Sequence, residues 1–448
     1  MTSLRSALQP KPMPATAVTS PVLGFDIDLA DLYRRDGLVR LDQAFLDFLH
    51  EGEAGLRARL DHARAYPDSL DRKDESALLI EIAPWMEDFI AKLFGIEKEV
   101  SALATRHHQL APLYSCKRQF VQRRAMNKVS EEEAIAVDGI SLEEKLAAEF
   151  GTPFSELAFA TAVTKWLPDE DANEERLKAA LLYAAWALKT PAGRERNRDG
   201  VLFKAPAKLD YLHLLSTDID NAAGYTVHRL HHIRRREGFA LTDPGTDLVG
   251  ALDEANYCIW CHEQGKDSCS KGLKEKPKTP EEAPSFKKSQ LGVLLTGCPL
   301  EERISEFHKL KTQGVAIGSL AMIVVDNPMC AGTGHRICND CMKSCIYQKQ
   351  EPVDIPQAET RTLKDVLELP WGFEIYSLLT RWNPLDLHRP VPKPPTGRKV
   401  LVVGMGPAGY TLAHHLMNDG HTVVGVDGLK IEPLAPDLAG VNQQGEHV

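Results

Sequence analysis

The sequence predicts a mainly α chain that closes with a short α/β unit. Three observations carry this: apolar residues at helical spacing through residues 25–250, eight cysteines confined to residues 258–345, and a strand running into a glycine-rich turn at Gly404. The 448 residues divide by composition into a flexible tail over 1–24, a helical region over 25–250 and a cysteine-bearing region over 251–360. A connector over 361–396 leads to a truncated Rossmann βαβ unit over 397–448.

The helical region shows its pattern in several places. Leu41, Phe45, Phe48 and Leu49 fall on one helix face, and Trp85, Phe89 and Leu93 repeat the spacing. Ser130 with Glu133, and Ser141 with Glu144, read as capping boxes, in which side chains satisfy the free N–H groups of a first turn. Leu177 to Leu188 is rich in Ala and Leu and reads as a buried helix. Lys271 to Lys288, rich in Lys, Pro and Glu, reads as an exposed insertion. The connector contains Trp371 and Trp382 and ends in a stiff polyproline-type run over 390–395.

Composition excludes several functions. The formal net charge of -10 supplies no field to attract nucleic acid or anionic lipid, so neither is expected as a partner. The longest apolar stretch, Gly314 to Val325, falls short of the roughly 20 residues of a spanning helix. The first 24 residues carry four prolines and no continuous apolar run of the kind a secretory signal needs, so a cytoplasmic location is expected.

Of the nine cysteines only Cys116 stands apart, and it reads as a structural thiol. The others run Cys258-x2-Cys261-x7-Cys269, then Cys298-Pro299, Cys330, and Cys338-x2-Cys341-x3-Cys345. Thiolates are soft ligands for iron–sulfur clusters or zinc, and eight of them match two four-iron clusters. Short spacings let one turn of backbone wrap a cluster and aim N–H groups at sulfur. A single four-thiolate zinc site is the alternative, although it leaves several cysteines unused. Cys330 reads equally as a ligand or as a buried thiol.

Lys399 to Val403 is a strand leading into Gly404-Met-Gly406-Pro407-Ala408-Gly409, followed by a helix and a second strand ending at Asp427. Gly404 permits the tight turn, Gly406 lets a pyrophosphate approach the backbone, and Gly409 allows close helix–strand packing. A helix N-terminus favours phosphate, and Asp427 stands where a carboxylate accepts from ribose hydroxyls. A dinucleotide such as FAD is the expected ligand, at a site only half built because no third strand is evident after Asp427.

Residues 250–427 resemble the small subunit of NADPH-dependent glutamate synthase and the N-terminal region of dihydropyrimidine dehydrogenase. The resemblance rests on YCIWC, GCP, the stretch from Leu300 to Pro328, GTGHRIC, PVDI and TGRKVLVVGMGPAGYTLA. It implies an α-helical ferredoxin-like domain with two [4Fe-4S] clusters, then an FAD domain, with NAD(P)H handled by a segment absent here or by a partner. It further implies that Cys258, Cys261, Cys269 and Cys338 hold one cluster and that Cys298, Cys341 and Cys345 hold the other. Glu359 takes the position of the fourth ligand of the second cluster, in competition with Cys330. Against the family pattern, 28 residues separate Cys269 from Cys298.

The sequence therefore points to an oxidoreductase passing electrons between flavin and two clusters toward an acceptor; no catalytic acid, base or nucleophile stands out. The alternatives are a non-enzymatic electron-transfer or scaffold subunit whose flavin fold is completed by a companion chain, and a truncated gene product. A further reading places nucleic-acid or metal binding on a helix at Tyr225 to Arg236, with His228, His231 and His232 as metal ligands and the arginines on phosphate.

Overall fold

The computed structural model describes residues 21–428 apart from 222–223, 232, 234, 236, 278, 280–283 and 336. Most of the expected tail, and everything beyond residue 428, lies outside the described residues. The chain is mainly α, as its periodicity predicts, and it divides into two units, Met1–His388 and Arg389–Val448.

In the first unit, helix Arg35–Gly52 buries Leu41, Phe45 and Leu49 along one face. Helix Arg72–Phe94 begins at Asp71, whose carboxylate accepts the Asp74 N–H, and ends at Gly95 in the left-handed region (φ 65°) that glycine adopts without strain. Phe89 of this helix packs against Phe45 at 5.5 Å and against Trp382 at 5.8 Å. Trp382 is fully buried, and its indole N–H donates to Asp42 at 3.0 Å. The stretch expected as a connector thus begins as helices Ile355–Leu367 and Gly372–Leu379 and closes over the N-terminal helices before His388.

A second group of helices surrounds Phe120, Phe159, Tyr183 and Phe203. Helix Glu97–Cys116 continues into a π-helical stretch, Lys117–Ala125. The Ser130–Glu133 capping box is formed. The one expected at Ser141 is not: helix Gly139–Phe150 starts two residues earlier, where the Asp138 carboxylate accepts the Ser141 N–H at 3.1 Å. An anionic side chain just ahead of Gly139 takes the cap and leaves Ser141 inside the first turn.

The expected helix at Tyr225 to Arg236 is replaced by a hairpin. Strand β1, Thr217–Asp220, pairs antiparallel with β2, Val227–Leu230. Arg229 bonds Asp220 at 2.8 Å and His231 bonds Asp218 at 2.7 Å, so cross-strand pairs absorb these side chains. His228 lies 3.4 Å from Thr217 Oγ1, while His232, Arg234 and Arg236 lie outside the described residues.

The apolar stretch from Gly314 forms helix Ala316–Asp326, buried along nearly its whole length. It packs on helices Arg72–Phe94, Ile304–Thr312 and Ile355–Leu367. No helix among the described residues is long and apolar enough to cross a membrane. The free N–H groups of Ile317 and Gly318 are taken by the Glu87 carboxylate, at 2.6 and 3.2 Å. Alongside, Lys311 meets Asp365 at 2.7 Å with both side chains buried.

In the second unit, β3 (Lys399–Val403) and β4 (Thr422–Val426) pair in parallel, joined by helix Pro407–Asn418.

The buried charges are open to direct test. Asp365→Leu strands Lys311 without its carboxylate and should cost about 3–5 kcal/mol in denaturant unfolding. Adding Lys311→Met should recover most of that loss. Burial pushes the Glu87 carboxyl up from 4.5 to about 8, against the lowering effect of the Gly318 and Ile317 N–H groups. The folded state then holds a proton that the unfolded state releases, so Glu87's contribution is full below pH 4.5 and is lost as pH rises to about 8. A tenfold difference in proton affinity between the two states corresponds to about 1.4 kcal/mol. Glu87→Gln should flatten the fall in thermal midpoint across that window, and an unchanged slope would show that this carboxyl does not titrate there.

Candidate metal centres and the glycine-rich turn

Each cysteine is placed by a short, interrupted piece of backbone. Cys258 follows helix Leu248–Tyr257, and Cys261 opens the 3-10 turn Cys261–Gln264. Between them Trp260 takes φ 51°, a sharp reversal that sets the two thiols side by side. Cys269 lies in the one-turn helix Ser268–Lys271. Cys341 lies within helix Asp340–Ser344, and Cys345 terminates it with an extended ψ of 144°.

The long insertion does not spread the site. It folds back through antiparallel bridges at Lys274–Phe286 and Lys288–Leu294. The Cys298 N–H then donates to the Cys269 carbonyl at 2.8 Å. Gly297 makes this closure possible: at φ 85° a side chain there would stand 2.5 Å from the Gly272 nitrogen and the Ser270 carbonyl.

Two groups result. Cys258, Cys261, Cys269 and Cys345 line one small cavity together with His308. Burial raises all four thiols, Cys261 to about 11, and nearby Cys345 adds to the effect on the other three. The second group contains Cys298, Cys338 and Cys341 with two buried carboxylates, Glu302 and Glu359. Burial lifts the Cys298 and Cys341 thiols, and Cys338 and Glu359 push each further in the same direction. Cys330 lies at the edge of this group, beside Glu359 and 3.9 Å from the Tyr376 hydroxyl.

The structure groups the thiols differently from the pairing implied by the family resemblance. Cys345, not Cys338, joins Cys258, Cys261 and Cys269, and Cys338 joins Cys298 and Cys341. The reason is local: Cys341 points from inside a helical turn, whereas Cys345 sits where the chain turns extended and carries its thiol away.

Backbone N–H groups work against the effect of burial on these thiols: Trp260 at Cys258, Ser268 at Cys261, Glu302 and Leu300 at Cys298, and Tyr347, Val353 and Ile346 at Cys345. Buried polar atoms without partners lie at the same places: both ring nitrogens of His308, Ser270 Oγ, Asp267 Oδ2 and Glu302 Oε1. All eight clustered cysteines are free thiols. Among the described residues no three His, Cys, Asp or Glu side chains converge as ligands of a single ion.

His308 and Glu302 are site residues that the sequence pattern alone did not single out. Glu302 follows Cys298 by one helical turn's spacing, the one signal that pointed to it; His308 is brought in by tertiary packing alone. Glu359 accepts from Asn327 Nδ2 at 2.9 Å, and burial raises its carboxyl to about 7. Cys116 is buried among the apolar residues of the second helical group, and burial raises it to about 12.

In the second unit Gly404 turns at φ 95°, and a side chain on Gly409 would stand 1.7 Å from the Gly404 carbonyl. Gly406 immediately precedes helix Pro407–Asn418, with Pro407 and Ala408 in its first turn and open space where its side chain would be. Asp427 turns inward, its carboxylate accepting the Met405 N–H at 2.5 Å. It braces the glycine-rich loop from the end of the neighbouring strand.

Residues 23–95 match the model of the RP005 N-terminal alpha-helical domain. Uncharacterized protein RP005 of Rickettsia prowazekii is 34% identical over 299 residues, covering 65% of this chain and 98% of that protein. The chain belongs to the RP005 family. Uncharacterized protein RP006 of the same organism is 59% identical over 107 residues, which is 24% of this chain and 15% of RP006. The NADPH glutamate synthase small chain of Bacillus subtilis is 34% identical over 130 residues, 29% of this chain and 23% of that protein. The chain therefore spans nearly all of RP005 but under a quarter of the other two.

Cys116→Ala should leave metal content unchanged and cost about 1–2 kcal/mol in unfolding, as expected for a small buried apolar group. Metal loss in that variant would give Cys116 a role beyond packing.

Proposed function

We propose that this RP005-family chain is the iron–sulfur electron-transfer component of a flavin-linked oxidoreductase. The supporting observation is the sorting of seven free cysteines into two groups, with an eighth, Cys330, at the edge of the second. On this reading Cys258, Cys261, Cys269 and Cys345 hold one [4Fe-4S] cluster, and Cys298, Cys338, Cys341 and Glu359 hold the other. Such clusters supply one-electron transfer, with potentials tuned by hydrogen bonds to sulfur and by burial.

The donor set fits such clusters. A zinc ion draws four ligands onto one point, whereas a cubane gives each thiolate its own iron and keeps the ligands apart. The two groups together supply seven thiols and the Glu359 carboxyl, the eight ligands that two four-iron clusters take. The fourth residue of one cysteine run serving the other group is also the arrangement of two-cluster ferredoxins. Glu359 is preferred to Cys330 because its charge acts on both Cys298 and Cys341. The partial similarity to glutamate synthase small chains agrees with an oxidoreductase setting.

One observation favours further structure covering the flavin fold, from a companion chain or from sequence outside the described residues. Leu401, Val403, Val424 and Val426 are paired in register across β3 and β4 and are exposed. Parallel sheets are ordinarily covered on both faces. A 1:1 complex of FAD with the chain alone would count against such a companion.

The decisive measurement is iron, acid-labile sulfide, zinc and flavin per polypeptide after anaerobic purification. About eight irons and eight sulfides are expected; zinc without sulfide would overturn the reading. Cys258→Ser and Glu359→Ala should each lose about half of the iron, from different clusters. Cys330→Ala should keep it all, and the reverse outcome at Cys330 and Glu359 would exchange their roles.

A further inference from the structure

A cleft of about 520 Å³ opens beside Cys258, within the range of small-molecule sites. Cys258 also lines the cavity of the first cysteine group, so one residue borders both spaces.

One wall of the cleft is basic. Lys117, Arg118 and Arg123 reach it from the π-helical stretch Lys117–Ala125, and Lys204 faces it from a separate segment. π-Helical turns are rare and concentrate at functional sites. Lys117 is committed to Asp253, at 2.6 and 2.8 Å, and Arg118 donates to the Asn256 carbonyl. Arg123 and Lys204 are exposed, and neither side chain makes a hydrogen bond or salt bridge among the described residues. Of the acidic lining residues, Asp253 pairs with Lys117 and also feels Lys204, and Glu254 accepts the Asp354 N–H at 2.8 Å, so four cations line the cleft against three carboxyls.

The other wall is aromatic. Tyr257 and Tyr347 stack with centroids 4.5 Å apart and planes 9° from parallel. The Tyr257 hydroxyl donates to the Glu351 carbonyl at 3.0 Å and accepts from Gln350 at 2.6 Å, which fixes the ring. Trp260 also lines the cleft, held at φ 51° with its indole N–H buried and without a partner. The strain at Trp260 belongs to the reversal between Cys258 and Cys261, and it leaves the indole ring at the cleft wall beside the two tyrosines.

We propose that this cleft binds a mononucleotide-sized aromatic anion, with its phosphate on Arg123 and Lys204 and its ring against the Tyr257, Tyr347 and Trp260 wall. Guanidinium and ammonium groups suit phosphate, and flat rings extend an aromatic stack. A ligand seated there touches Cys258 and so adjoins the first cysteine group. That redox role rests on the proposed electron-transfer function; binding itself does not.

The test uses the full chain and titrates it with FMN, followed by flavin fluorescence. Riboflavin lacks the phosphate, inorganic phosphate lacks the ring, and AMP exchanges the flavin ring for a purine. FMN should bind saturably, with riboflavin and phosphate each at least about tenfold weaker, a loss of about 1.4 kcal/mol. If AMP competes at equal strength, the ligand is a general nucleotide; if it does not, the ring is specifically flavin-like. Arg123→Gln combined with Lys204→Gln should weaken FMN at least about tenfold, and both side chains are exposed, so folding is preserved. Gly409→Val, which blocks the glycine-rich turn, should leave FMN binding intact. Absence of saturable FMN and AMP binding, indifference to the Arg123 and Lys204 changes, or loss through Gly409→Val would each overturn the proposal. Iron measured on the same samples separates the two ideas: nucleotide binding without iron sinks the electron-transfer reading alone, and iron without nucleotide binding sinks this one alone.

Discussion

Helix Ala316–Asp326 is the constraint on which the first unit depends. It is almost entirely apolar and enclosed, so its neighbours are held in place by the need to keep water from it. Its ends carry the polar groups that an enclosed helix cannot leave unsatisfied. Glu87 meets the N-terminal N–H groups, and at the other end Asp326 meets Arg303 at 2.6 Å. Arg303 reaches on to Glu75 at 2.5 Å, so one buried guanidinium joins the N-terminal helices to the loop that carries Cys298. The Glu87 and Glu75 contacts both come from helix Arg72–Phe94, which lies wholly within the residues matched to the RP005 N-terminal domain.

That seam explains why the family-specific helices and the cysteine region form one unit. Ser76 donates to the buried Glu306 at 2.6 Å, and the adjacent Ser305 hydroxyl meets His262 Nδ1 at 2.6 Å, next to Cys261. The polar contacts thus run from the N-terminal helices to the backbone that positions the thiols. Buried polar groups are costly unless every member is satisfied. Among the described residues, several buried atoms without partners lie at the cysteine groups and beside the basic cleft.

The division of the cysteines between two groups has a mechanical consequence. Each group draws on sequence both before and after the central helix, so neither can form from a single segment. Loop closure over such distances is entropically costly, and a bound group that locks both closures contributes correspondingly more to the folded state. The 28-residue insertion is tolerated because its two ends are tied together at Cys269 and Cys298, leaving the excursion outside the site.

Much of this was legible in the sequence. Helical spacing of Leu41, Phe45 and Leu49 needs only local geometry, and so does the strand, turn and helix around Gly404, where Gly404 and Gly409 admit no side chain without strain or collision. The clustering of eight cysteines in a chain otherwise poor in them marked the candidate centres directly. The rest depended on long-range packing. Asp138 displaced Ser141 as a cap, cross-strand charge pairs turned the histidine-rich segment into a hairpin, and Trp382 drew the expected connector onto helices more than three hundred residues earlier. Residue type settles which thiols are available, because ligand chemistry belongs to the side chain. Which thiols stand together was settled by the folded chain, because a one-turn helix ending at Cys345 sends neighbouring side chains to different groups, and no spacing rule records where a chain leaves its helix.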